Sequence, residues 1–102
     1  MADSQAIICP KGNANVPSIA SDTTALAANT ARAGWMIQNL GTNPLFVRLG
    51  ASASTSVFHV VLKGGTGNDD GTGGTVSQTD GVVYTGVITI AGTLPRYVVM
   101  EL

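Results

Sequence analysis

Trp35-Met36-Ile37-Gln38-Asn39-Leu40-Gly41-Thr42-Asn43-Pro44-Leu45-Phe46-Val47-Arg48-Leu49 is the stretch whose reading decides the fold. Trp35 and Ile37 fall on one side of an extended chain, and Met36, Gln38 and Leu40 fall on the other. After Gly-Thr-Asn-Pro the alternation resumes, with Leu45, Val47 and Leu49 opposite Phe46 and Arg48. A repeat of two is the signature of a β-strand with one buried face. Two such runs around a four-residue cluster of turn formers read as a β-hairpin. Trp35 and Phe46, two of the few aromatic residues, are expected in the core.

Downstream the pattern continues. Over residues 57–63, Phe58, Val60 and Leu62 share a face opposite His59, Val61 and Lys63. Residues 64–74 form a glycine-rich stretch that reads as a mobile, exposed hairpin tip. Residues 82–90 carry the densest β-branched and aromatic content, with Tyr84, Ile88 and Ile90 opposite Val83, Val87 and Thr89; Gly86 in their midst predicts a bulge or a close backbone contact. Gly92-Thr93-Leu94-Pro95 turns the chain into a last strand over 96–101, where Val98 and Met100 oppose Tyr97 and Val99.

Upstream, residues 21–33 admit two readings. Ser21, Asp22 and the Ala-Leu-Ala-Ala run suit a short helix ending at Gly34. Thr23, Thr24 and the turn-like Asn29-Thr30-Ala31-Arg32 favour a strand over 23–28, which is the preferred reading. The expected fold is therefore all-β: a single-domain β-sandwich, jelly-roll-like or a small barrel, over residues 21–102. Residues 1–20, broken by Pro10, Gly12 and Pro17, read as an N-terminal arm or as first strands.

Composition narrows the function. Charged residues make up 11% of the 102 positions while hydrophobic residues make up 44%. Such a chain packs a core but covers its surface with Ser, Thr, Asn, Gly and Ala. A net charge of −1 offers nothing to neutralise a phosphate backbone, so nucleic acid is not an expected partner. It also does little to oppose association with other proteins.

Cys9 and His59 each stand alone, which leaves no disulfide, no zinc cluster and no catalytic triad to assemble. Neither an enzyme nor a cofactor is expected, and His59 reads as structural or surface. The glycine-rich stretch lacks the lysine and the following helix of a phosphate-binding loop. Gly64-Gly65-Thr66-Gly67-Asn68-Asp69 matches the start of a calcium-binding glycine repeat, yet the apolar position that should follow is Gly71. Asp69 and Asp70 are thus expected to hold no cation tightly. Arg32 and Arg48 could clasp a partner carboxylate, but surface arginine is the preferred reading. Asp3 and Pro10 do not suit a secretory signal, and no apolar run reaches membrane-spanning length, so synthesis in a cytoplasm is expected, with no membrane partner.

The segment from Asn29 to Gly50, with its Asn-Thr-Ala-Arg turn, Ile-Gln-Asn-Leu-Gly-Thr-Asn-Pro run and Val-Arg-Leu-Gly strand, resembles a module of small structural proteins of tailed bacteriophages. Ser54-Thr55-Ser56-Val57-Phe58-His59-Val60-Val61-Leu62, Asp70-Gly71-Thr72-Gly73-Gly74 and Val83-Tyr84-Thr85-Gly86 resemble its continuation, so the likeness runs from about Thr24 to Leu102. The resemblance implies a virion component: a capsid decoration (cement) protein, or a tail- or fibre-associated one, commonly trimeric, with the major capsid protein or other virion proteins as partners. The residues before Ser21 carry no such likeness. Within them Ile7, Ile8, Lys11 and Val16 are the candidate partner-binding residues, on an arm able to add a strand to a neighbour's sheet. A carbohydrate-binding module and a small hydrolase are the rival classes; the first needs exposed aromatics, the second partners for His59.

Overall fold

The computed structural model describes residues 23–102. Seven strands follow one another: β1 (Thr23–Leu26), β2 (Trp35–Asn39), β3 (Leu45–Leu49), β4 (Val60–Leu62), β5 (Thr75–Gln78), β6 (Ile88–Gly92) and β7 (Tyr97–Glu101). They form two antiparallel sheets, ordered β1-β6-β3-β4 and β5-β2-β7, with no helix among the described residues. The fold is a β-sandwich. The strand reading of the 23–28 region holds, with β1 paired to β6 and irregular in register between Thr24 and Leu26.

The period-two patterns place the core as expected. Leu45 and Val47 of β3 face Trp35 and Ile37 of β2, joined by Ile88 and Ile90 of β6, Leu26, Leu62, Tyr97 and Val99. Trp35, Ile37, Leu45, Val47, Ile88 and Ile90 are essentially sealed from solvent. The last strand buries Tyr97 and Val99 and leaves Val98 and Met100 half-exposed on its outer face. Phe46 departs from the core expectation: it lies on the outer face of β3, opposite Val61 and Ala91.

The hairpin reading of the opening stretch does not hold. β2 pairs with β5 and β7, whereas β3 pairs with β4 and β6, so residues 40–44 carry the chain from one sheet to the other. The cause is Asn39. Its buried amide Nδ2 donates to the carbonyls of Asn43, Leu62 and Lys63 at 2.9, 3.1 and 3.2 Å, and its Oδ1 accepts from Gly41 N at 2.9 Å. These bonds replace the rungs a hairpin would have made across the turn, and they tie the crossing to the end of β4. Of the connections between described strands, β3 to β4 alone stays within one sheet.

Two further strand expectations shift. Residues 82–87 are irregular, and strand begins only at Ile88; Val82 is 94% exposed. Carbonyls that would have joined a ladder there are taken by Arg32 and by Asn29 N, which reaches Thr85 O at 2.8 Å. The strand expected over 57–63 shortens to β4, because Ser54 and Val57 close a tight turn by exchanging backbone hydrogen bonds. β5, a polar Thr-Val-Ser-Gln run with one apolar residue, has no counterpart in the sequence reading.

Candidate functional site

Ile7, Ile8, Lys11 and Val16, the sequence-derived candidates for partner binding, and Cys9 lie outside the described residues. The surfaces that can be built up are those of the sandwich itself.

Arg32 is the first departure from expectation. It is no surface arginine: its side chain is fully buried, held by the Asn29 turn in which Arg32 N donates to Asn29 O and Ala31 N to Asn29 Oδ1. Nε donates to Glu101 Oε2 at 2.7 Å, one terminal nitrogen to the Tyr84 and Gly86 carbonyls at 3.0 Å each, and the other to Ala27 O at 2.6 Å. Four of the five guanidinium donors are thus engaged. A charge removed from water is tolerable only with such complete partnering. Arg32 therefore locks the β1–β2 turn, the 84–86 segment and the end of β7 together, and its chemistry is structural. Gly86 belongs to this lock, since the Tyr84 ring lies where a Cβ at residue 86 would stand.

The glycine-rich stretch is likewise corrected. It is no hairpin tip, because it joins β4 and β5 of different sheets. Nor does it stand free of the body: Asp69 N donates to Leu40 O at 2.7 Å and Gly65 N to Gly41 O at 2.8 Å. Gly64 and Gly73 pass so close to the backbone carbonyls of Thr42 and Asn39 that a Cβ would collide. Asp70 gathers Thr72 N, Thr72 Oγ1 and Thr66 Oγ1, and the Thr72 hydroxyl bond first among these holds its carboxyl below the usual range. Asp69 is lowered chiefly by its hydrogen bond from Arg96, whose Nε lies 2.8 Å from Oδ1. Both carboxylates are thus engaged within the protein, and no group of three or more metal-ligating side chains occurs among the described residues.

His59 sits at the mouth of an apolar cleft. The cleft, of about 100 Å³, has Trp35, Val47 and Leu49 as its floor, Val60 and His59 on one wall, and Val76 and Gln78 on the other. It exists because β4 is short: Val60 pairs with Val47, and no β4 residue covers Leu49. His59 Nδ1 accepts from Leu49 N at 3.0 Å, which leaves Nε2 as the protonated nitrogen of the neutral ring. Gln78 Oε1 accepts from Trp35 Nε1 and from Tyr84 N, both at 2.9 Å, so its amide NH₂ remains to donate. His59 and Gln78 are the polar side chains of an otherwise apolar lining.

Two outer faces complete the surface. On the four-stranded sheet Phe46 packs against Phe58, ring centroids 5.0 Å apart and tilted by 57°. Phe58, Val57 and Val61 are 39%, 43% and 46% exposed. On the three-stranded sheet the outward positions are Met36, Gln38, Thr75, Ser77, Val98 and Met100, none of them charged. Parity marked Met36, Gln38, Val98 and Met100 as one side of their strands, but Phe46 was expected in the core and Phe58 on the face of Val60 and Leu62, β5 was not foreseen, and nothing in the sequence marked the cleft, which depends on β4 ending early. No known family model matches this chain, and neither a curated protein nor a solved structure shows similarity to it.

Proposed function

We propose that this protein is a virion structural protein, a capsid decoration protein that binds a phage head and stabilises it. The observation that carries the reading is the character of the sandwich's exterior. Its three-stranded sheet presents an outer face without a single charge, and its four-stranded sheet presents exposed Val57, Phe58 and Val61 beside Phe46. Exposed apolar area of this kind favours protein contact. A body tied internally by Arg32 and Asn39 presents those faces with little conformational freedom left to lose on binding. The resemblance of residues 24–102 to phage structural modules supplies the kind of partner: the major capsid protein or another virion protein, engaged by a homotrimer made in the host cytoplasm. Many modest contacts on repeated copies then add up through multivalency. Nothing in the reading requires a cofactor, nucleic acid or a membrane.

The test is co-sedimentation of the full-length protein with undecorated heads of the phage that encodes it, with sedimentation equilibrium of the free protein alongside. Saturable binding by a trimer that raises the temperature at which heads rupture is the expected result. Absence of binding, with heads and protein both intact, would remove the reading.

A second reading, a carbohydrate-binding module, draws on the Phe46–Phe58 pair, because exposed rings are what sugar faces stack against. Val57 and Val61, exposed on the same side, are aliphatic, and Arg48, two residues from Phe46 on the same face of β3, is the polar side chain nearest the pair along that strand. A glycan array separates the two.

A further inference from the structure

The two sheets are unequal. Four strands, β1-β6-β3-β4, face three, β5-β2-β7, and β4 and β5 are each an edge of their sheet. The apolar cleft opens between Val76 of β5 and Val60 of β4. Beside it runs an unused row of main-chain groups. Asn39 N donates to Gly74 O at 2.9 Å, and in the same register Ile37 faces Val76 and Trp35 faces Gln78. In an antiparallel ladder alternate residues turn their N–H and C=O toward the partner strand, so Val76 and Gln78 bond to β2 while Thr75 and Ser77 point theirs outward; Gly74, just before β5, gives its carbonyl to Asn39 N and its N–H to Lys63 O at 3.0 Å. Among the described residues no strand pairs with that edge. Natural edges are usually blunted by charge, proline or a covering element. Thr-Val-Ser-Gln contains neither charge nor proline.

We propose that β5 is a strand-acceptor edge: an extended segment of the partner virion protein pairs with Thr75–Gln78, becomes the fourth strand of the smaller sheet, and seats one aliphatic side chain in the cleft. Three features of the site select this occupant. The cleft, of about 100 Å³ with Trp35, Val47, Leu49, Val60 and Val76 in its lining, has room for one aliphatic side chain. The side-chain groups left to bond at its walls, the Gln78 amide and His59 Nε2, are donors, which fits a ligand whose nearest polar atoms are main-chain carbonyls. β5 itself carries neither a charge nor a proline to oppose an added strand. In strand addition the main-chain bonds supply affinity and the pocket supplies the choice of side chain. The proposal rests on the reading of the protein as a particle-binding component, and names the edge through which it would bind.

The test uses the full-length, isotope-labelled protein and two probes. The first is a blocked, lysine-flanked peptide that alternates threonine with valine and has isoleucine at its centre; the second is the undecorated phage head. The expected result is slowed amide exchange at Thr75 and Ser77 on adding peptide, and a loss of peptide affinity of about tenfold or more in Ser77→Pro, which removes an outward N–H without touching the β2 ladder. Val60→Phe, which fills the cleft and spares the edge, should weaken the isoleucine peptide while leaving a central-alanine version unchanged. Circular dichroism confirms that both variants are folded. Peptide protection at Thr75 and Ser77 combined with failure of wild-type protein to bind heads would keep the acceptor edge and remove the particle-binding reading. Head binding unaltered by Ser77→Pro and Val60→Phe would overturn the acceptor edge and keep that reading. Protection appearing at β7 or β1 in place of β5 would overturn it as well.

Discussion

Two arginine–carboxylate pairs lie at different depths in this small domain. Arg32 meets Glu101 with side-chain exposures of 0% and 13%; Arg96 meets Asp69 with exposures of 33% and 47%. The contact chemistry is alike, but the surroundings differ. Arg32 also serves the carbonyls of Ala27, Tyr84 and Gly86, so it is the hub of a buried network that replaces missing strand ladder. The Arg96 pair bridges the turn before β7 to the β4–β5 loop, where water screens the charges. An ion pair's worth here is set by what else its members hold and by whether solvent can take over when it breaks.

The largest expected effect follows directly. Arg32→Ala should destabilise by about 3–5 kcal/mol, because it breaks an ion pair whose cation is fully buried and leaves Glu101 and three part-buried carbonyls without their partner. That corresponds to a drop in thermal midpoint of roughly 15–25 °C for a domain of this size. Arg32→Met with Glu101→Met removes the stranded charge and should recover only part of the loss, since the carbonyls stay unserved. Full recovery by the double variant, read from chemical denaturation, would show that charge alone mattered.

Asn39 sharpens the contrast with a buried, uncharged hub. Asn39→Ala leaves Gly41 N and the carbonyls of Asn43, Leu62 and Lys63 without its amide, and should cost about 3 kcal/mol by denaturant titration. Gly73→Ala drives a methyl into the Asn39 carbonyl at the same crossing, for an expected loss of about 1–2 kcal/mol. If either variant melts with the wild type, the sheet crossing is held by something other than these contacts.

The exposed side of the comparison is probed with pH. Asp69 and Asp70 both have folded-state values below the ordinary 3.8, through hydrogen bonds from Arg96 and from Thr72 respectively. Groups so lowered stabilise the folded loop fully above the unfolded value and lose that contribution as pH falls through the folded one. Stability should therefore be flat in this respect from neutrality down to about pH 4 and decline below it. Protection of the Thr72 amide, which donates to Asp70, reports the change residue by residue. Smallest of all is the effect of Arg96→Ala, expected to leave the thermal midpoint close to wild type.

Much of the fold was legible in the sequence, for a physical reason. Burial of one sheet face imposes period two, and that periodicity identified the strands around Trp35, Leu45 and Tyr97 with their inward faces. Turn formers at 41–44 said that the chain turns; they do not say whether it returns to the same sheet. That choice belongs to Asn39, whose partners Leu62 and Lys63 are remote in sequence. Val83, Val87 and their neighbours have strand propensity, yet propensity yields where Arg32 claims the carbonyls of Tyr84 and Gly86. One signal for Arg32 was present: parity puts Glu101 on the inward face with Tyr97 and Val99, and an inward carboxylate calls for a cation. The β5 edge and its cleft carried no such mark, being made by the early end of β4 and by a polar strand with one apolar residue.

The most direct test of the proposed function is a cryo-electron microscopy reconstruction of undecorated heads incubated with the full-length protein. Added trimeric density is expected where capsid subunits meet, with the sandwich resolved and the β5 edge turned toward a capsid segment. Reconstructed heads identical with and without the protein, at concentrations where it remains folded and soluble, would contradict it.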